Sequence, residues 1–199
     1  MNRTRMALVV FALTLFTVFA AAASATPSVG TFEINAGYAK SSTEVAPLTS
    51  PTDALSGSIS FGAGYFRSIA PTTSWGVEAS LDNLGTTDWN TGTATATSKT
   101  TVLRVTPEVR MNFGSAVGPS FFAQGGAGLY AVTSKVETTD VLYAMDQSQS
   151  KFGFNLGAGV GIPVSPKTNL NVLGSYHSIS TEGTSTNYLG LRAGIAFNL

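Results

Sequence analysis

The sequence predicts an all-β fold, an eight-stranded antiparallel up-and-down transmembrane β-barrel that follows a cleaved signal peptide. Three features predict it: an export-type N-terminus, eight segments in which apolar and polar residues alternate, and connections that alternate between long and short.

The N-terminus sets the compartment. Arg3 and Arg5 precede an apolar run from Met6 to Ala22, and Ala23-Ser24-Ala25 forms a small-x-small cleavage pattern. Residues 1–25 are therefore expected to be removed, leaving one barrel domain at 26–199. No later apolar run approaches the roughly 20 residues of a spanning helix, so a membrane role must use strands. The chain has 21 glycines and no cysteine, and only 11% of its residues are charged. An exported chain without disulfides needs another source of rigidity, which a closed hydrogen-bonded barrel supplies. Setting Arg3 and Arg5 aside tips an even balance of 11 basic and 11 acidic residues slightly acidic, which argues against nucleic-acid binding.

Eight strands follow in order. The first, 29–39, places Phe32, Ile34, Ala36 and Tyr38 opposite Glu33, Asn35 and Gly37. The second, 55–66, places Ile59, Phe61, Ala63 and Tyr65 opposite serines and glycines. The third, 74–82, sets Trp75, Val77, Ala79 and Leu81 against Gly76, Glu78, Ser80 and Asp82. In the fourth, 100–112, Leu103, Val105, Val109 and Met111 oppose Arg104, Thr106, Glu108 and Arg110. Gln124 decides the parity of the fifth, 120–132, and turns Phe121, Ala123, Ala127 and Leu129 outward. The sixth, 151–162, sets Phe152, Phe154, Leu156 and Val160 against Asn155 and a run of alternate glycines. The seventh, 168–178, sets Leu170, Val172 and Tyr176 against Asn169, Asn171, Ser175 and His177. In the eighth, 187–199, Leu189, Leu191, Ile195, Phe197 and Leu199 oppose Tyr188, Arg192 and Asn198.

Long connections are expected at 40–54, 83–99 and 133–150, with a shorter one at 179–186. Compact turns fall near 67–73, 113–119 and 163–167. Short turns at one end and longer loops at the other are the arrangement of an outer-membrane barrel. Residue size decides which face meets lipid: the polar face is rich in glycine and serine, and a small barrel has little interior room for large aromatics. Outward aromatics then form two girdles, Phe32, Tyr65, Trp75, Phe113, Phe121 and Phe197 near the turns, and Tyr38, Phe152, Phe154 and Tyr176 near the loops. Glu33, Glu78, Asp82, Arg104, Glu108, Arg110, Lys151 and Arg192 all take the inward parity, as expected when Arg or Lys at the lipid midplane costs about 2–4 kcal/mol. Four acids against four bases suit an interior charge network and a filled lumen. Pro107 interrupts the fourth strand, where a bulge or a missing ladder bond is expected, with Thr106 or a water meeting the orphaned carbonyl and with parity preserved.

With the signal segment, the eight amphipathic strands and the closing Tyr188-Leu189-Gly190-Leu191-Arg192-Ala193-Gly194-Ile195-Ala196-Phe197-Asn198-Leu199 in view, the chain resembles the small outer-membrane β-barrel domain superfamily. This is the group of the outer-membrane protein A barrel and the OmpX- and Ail-type surface proteins. The resemblance implies insertion by the barrel-assembly machinery into outer-membrane lipid and lipopolysaccharide. Members usually end in an aromatic residue; here Leu199 is last and Phe197 stands two before it.

Few motifs point to chemistry. Gly125-Gly126-Ala127-Gly128 and the glycines at 157, 159 and 161 lack the Lys-Ser/Thr and helix of a phosphate loop and read as close strand packing. His177, the single histidine, faintly resembles the histidine of outer-membrane lipid A deacylases, but Ile179 stands where their serine would follow and the parity is inward. It reads as a hydrogen-bonded interior histidine, with no catalytic residue assigned. Glu137, Asp140 and Asp146 read as solvated loop charge rather than a cation site, and no cofactor is expected. The external loops are acidic and rich in Thr and Ser, which disfavours heparin-like ligands. The expectation is a non-enzymatic surface protein with a structural role or one of adhesion to a host or neighbouring-cell ligand. The alternatives are a transporter of small or apolar solutes and a lipid A-modifying enzyme using His177.

Overall fold

Strand side chains alternate between two faces, so each amphipathic segment can turn one face to lipid and the other to a shared interior. In the computed structural model the described residues are 30–42, 58–90, 95–114, 118–138, 145–181 and 184–199. They form β1 (Gly30–Ser41), β2 (Ser58–Ala70), β3 (Thr73–Asn90), β4 (Thr95–Gly114), β5 (Ser120–Thr138), β6 (Met145–Ser165), β7 (Thr168–Thr181) and β8 (Thr184–Asn198). Each strand pairs antiparallel with the next, and β1 pairs with β8 from Thr31↔Asn198 to Ser41↔Tyr188, closing the barrel. The Leu199 amide donates to the Gly30 carbonyl at 2.8 Å and completes the seam. The cleavage expected after residue 25 falls outside the described residues, as do Asp140 and most of the expected connection at 40–54.

The parity read from the sequence is the parity of the barrel. Phe32, Ile34, Tyr38, Trp75, Leu81, Phe121, Phe152, Tyr176, Leu191 and Phe197 are exposed on the outer wall, while Glu33, Glu78, Arg104, Glu108, Gln124 and Arg192 are buried inside. Large apolar side chains on the outside and carboxylates on the inside invert the order of a water-soluble barrel, which fits a hydrocarbon surround.

Two of the expected long connections are largely strand. Residues 83–90 extend β3, 95–99 begin β4, 133–138 extend β5 and 145–150 begin β6. A membrane strand needs only about 9–11 residues, whereas β4 has 20 and β6 has 21. The β2–β3 ladder ends at Ser60↔Asp82, but β3 continues along β4 to Asn90↔Thr95. Similarly, β6 pairs with β5 from Met145 onward yet joins β7 only from Gly153. Strands β3 to β6 therefore rise beyond the closed ring as a four-stranded sheet. The β-branched run of Thr100, Thr101 and Val102 favours this extension. A bulge between Asn83 and Gly85, with Gly85 at φ 106°, tucks Leu84 inward before β3 continues.

At Pro107 the β3–β4 register runs without a shift through Val77↔Pro107. On the β5 side the pairing stops at Val105↔Leu129 and resumes at Glu108↔Gly126 in the same register, so ladder pairs are missing but no residue is inserted. Pro107 faces outward, and Glu108 and Arg110 remain buried. The Thr106 hydroxyl does not turn to the wall as expected; it donates to Glu108 Oε1 at 2.9 Å inside the lumen. A Cβ on Gly126 would stand 2.3 Å from the Pro107 carbonyl oxygen, so β5 approaches at a distance only glycine allows.

Candidate functional site: an ion-paired lumen

Inward positions of facing strands meet across the lumen, so residues far apart in sequence become partners. At the turn end, Arg110 of β4 lies between two rings, its guanidinium carbon 3.9 Å from the Phe66 centroid and 4.6 Å from that of Phe122. Such stacking stabilises a desolvated guanidinium. Its Nη1 donates to Glu33 at 2.9 Å and its Nε to Gln124 at 3.0 Å, while Asn171 Nδ2 also donates to Glu33 at 2.9 Å.

The middle of the lumen is held by Glu78, which pairs with both Arg104 and Arg192, the latter at 2.6 Å. Arg104 also reaches Glu108 at 2.8 Å. Glu108 accepts further bonds from Asn155 at 2.9 Å and Gln124 at 2.8 Å. These carboxylates and guanidiniums are each no more than 2% exposed. Charges so deep survive only when paired and hydrogen-bonded, and removing one partner of such a pair costs about 3–5 kcal/mol.

Toward the loop end, Asp82 accepts from the hydroxyls of Ser60, of Ser80 at 2.9 Å and of Tyr188 at 2.8 Å. Ser80 in turn accepts from Arg104 Nε at 3.1 Å, so one chain of bonds runs from Arg110 through Gln124, Glu108, Arg104 and Ser80 to Asp82 and Tyr188. His177 stacks on Tyr188 with centroids 4.3 Å apart, and its Nε2 lies 2.9 Å from the Ser175 hydroxyl. It is 1% exposed and points into the lumen, away from lipid. Above it Ala39, Leu84, Val102, Tyr130, Ile179 and Tyr188 form a buried apolar cluster at the loop end.

The interior therefore has three levels: an Arg–Phe stack, an ion-paired middle and an apolar cluster. The expected pairing of four acids with four bases differs in one member. Three guanidiniums serve Glu33, Glu78 and Glu108, hydroxyls serve Asp82, and Lys151 stands half-buried at the loop end outside these ion pairs. Sequence reasoning did not identify the apolar cluster, or Phe66 and Phe122 as the partners of Arg110. Their only signal was an inward parity for large residues in a lumen that otherwise selects small or polar ones.

Antiparallel closure in chain order, a lipid-facing apolar wall and a charged interior define an integral outer-membrane β-barrel protein. The chain matches the outer membrane protein beta-barrel domain over residues 11–198 and belongs to that family. A search of curated proteins finds no significant relative. Among solved structures, Neisserial surface protein A is similar at a TM-score of 0.58 and 14% identity, covering 85% of this chain and 97% of that one. The N-terminal barrel of Pseudomonas aeruginosa OprF is similar at 0.52 and 12% identity, covering 85% and 97%. Ail of Yersinia pestis, solved with the heparin analogue sucrose octasulfate, is similar at 0.50 and 18% identity, covering 84% and 99%. These likenesses are of fold. The protein resides in the outer membrane.

Proposed function

We propose that this barrel is a non-enzymatic surface protein whose sealed lumen anchors a raised β-sheet that contacts a partner outside the cell. The observation that carries the reading is the contrast between the two ends of the strands. The membrane portion is filled and locked by buried ion pairs, whereas β3 to β6 continue past the ring, where a barrier or scaffold gains nothing from added strand. Extensions of this kind position binding residues on a rigid base.

The sequence segments 83–99 and 133–150 carry Asp88, Glu137, Asp140 and Asp146 against Lys99 and Lys135, among many Thr and Ser residues. That balance favours a neutral or basic ligand on a host or neighbouring cell and disfavours a sulfated one such as that bound by Ail. Insertion by the barrel-assembly machinery would read β8, which carries Phe197 on its outer face. Replacing residues 86–98 and 134–149 with tight turns should abolish cell-surface adhesion while leaving assembly and heat-modifiable gel migration intact. Retained adhesion would contradict the proposal.

An enzymatic role would rest on His177, whose burial behind the wall supports a structural part in the lumen instead. His177→Ala should leave the mass spectrum of extracted lipid A identical to that of cells carrying the unaltered protein. A difference lost with His177 would assign it a catalytic part.

A further inference from the structure

β1 and β8 are the two neighbours in the ring that no turn or loop of the chain joins, so their register is not set by a connection. Their outward pairs do not set it either. Phe32↔Phe197, Ile34↔Ile195, Ala36↔Ala193 and Tyr38↔Leu191 meet on the lipid side, and a slip of two residues, the smallest that keeps parity, would again set apolar against apolar.

The inward pairs are selective. Each sets a larger side chain of one strand against a small residue of the other: Glu33↔Ala196, Asn35↔Gly194, Gly37↔Arg192 and Ser41↔Tyr188. The fits are close, since a Cβ on Gly37 would stand 2.6 Å from Arg192 Cα, and one on Gly194 would stand 2.7 Å from Asn35 Cβ. A two-residue slip would pair Gly37 with Gly190 or Gly194. In one direction it would press Arg192 against Asn35, and in the other Glu33 against Asn198. It would also draw each seam residue about 6–7 Å along its strand from its partners across the lumen. Those partners lie on other strands. Arg192 and Tyr188 of β8 reach Glu78 and Asp82 of β3, at 2.6 and 2.8 Å, and Glu33 of β1 accepts from Arg110 of β4 and Asn171 of β7, each at 2.9 Å.

We propose that these inward residues of the two seam strands select the register in which the barrel closes, with Arg192 seated over Gly37 as the principal determinant. Strand stagger and barrel width are linked, so the same residues select the width of the ring.

The test reads amide–amide nuclear Overhauser contacts across the seam of the full chain folded in detergent micelles. The Leu199 amide bonds to the Gly30 carbonyl, so by alternation Ala36 and Ala193 form a hydrogen-bonded pair whose amides should give a strong contact. Ile34→Ala with Ile195→Ala, on the lipid side, should keep that contact. Arg192→Gly with Gly194→Arg moves the guanidinium by one inward position and should replace it with a contact from Ala36 to Ile195. Glu33→Ala with Arg192→Ala removes both seam charges without adding bulk, and should give Ala36 a second set of contacts, to Leu191 or Ile195. The Ala36–Ala193 contact alone in whichever interior variant folds, or its loss in the lipid-side variant, would overturn the proposal. Loss of every seam contact from Ala36 in both interior variants would make these residues necessary for closure without selecting its register, and would overturn it equally.

Discussion

At the scale of single residues, Glu78 is the hinge of the interior, because two guanidiniums from β4 and β8 converge on it. Glu78→Ala would leave Arg104 with Glu108 alone and Arg192 with no carboxylate partner among those described. A destabilisation of about 3–5 kcal/mol is expected, measured by urea unfolding in detergent or bilayers, with a smaller loss for Glu78→Gln, which keeps an acceptor. A change below about 1 kcal/mol in the alanine variant would mean that the ion pairs contribute little to holding the lumen. The inward side of each charge was legible in the sequence because apolar neighbours fixed the parity. The partners were not: Arg192 and Glu78 lie 114 positions apart, and only barrel closure brings them together. Asp82 shows the same limit, since its hydroxyl donors replace the cation that charge counting had assigned to the interior.

At the scale of elements, all eight strands were legible because a two-residue period leaves a strong mark where one face meets lipid. That mark fades once both faces meet water. Residues 83–90, 95–99, 133–138 and 145–150 are mainly Thr, Ser, Gln and Asn with scattered charges, and their ladders became visible only in three dimensions. The bulge at Gly85 hid the extension of β3 further by shifting its alternation. Pro107 is the element-scale case in which the reading of register was sound and the side-chain detail was not. Pro107→Val should restore an N–H to the β4–β5 ladder and raise stability by about 0.5–1.5 kcal/mol, and the amide it introduces at residue 107 should be protected from exchange. Rapid exchange of that new amide, with stability unaltered, would show that the wall stays open for reasons other than the missing donor.

At the scale of the whole molecule, the described residues form a closed wall around a hydrogen-bonded, ion-paired interior. The Arg–Phe stack, the ion-paired middle and the apolar cluster lie in series along the interior, and the sealed lumen proposed above rests on that order. An eight-stranded interior is just wide enough for this filling. The same rigidity serves the raised sheet, whose four strands are continuous with those of the ring and inherit its fixed spacing. A conducting pore and a locked pedestal make opposite demands on the lumen, and planar-bilayer recording of the purified, folded barrel separates them most directly. The expected result is insertion without stable conductance in salt solution. Stable, solute-dependent channel currents from the unaltered protein would contradict the sealed lumen and the anchoring role built on it.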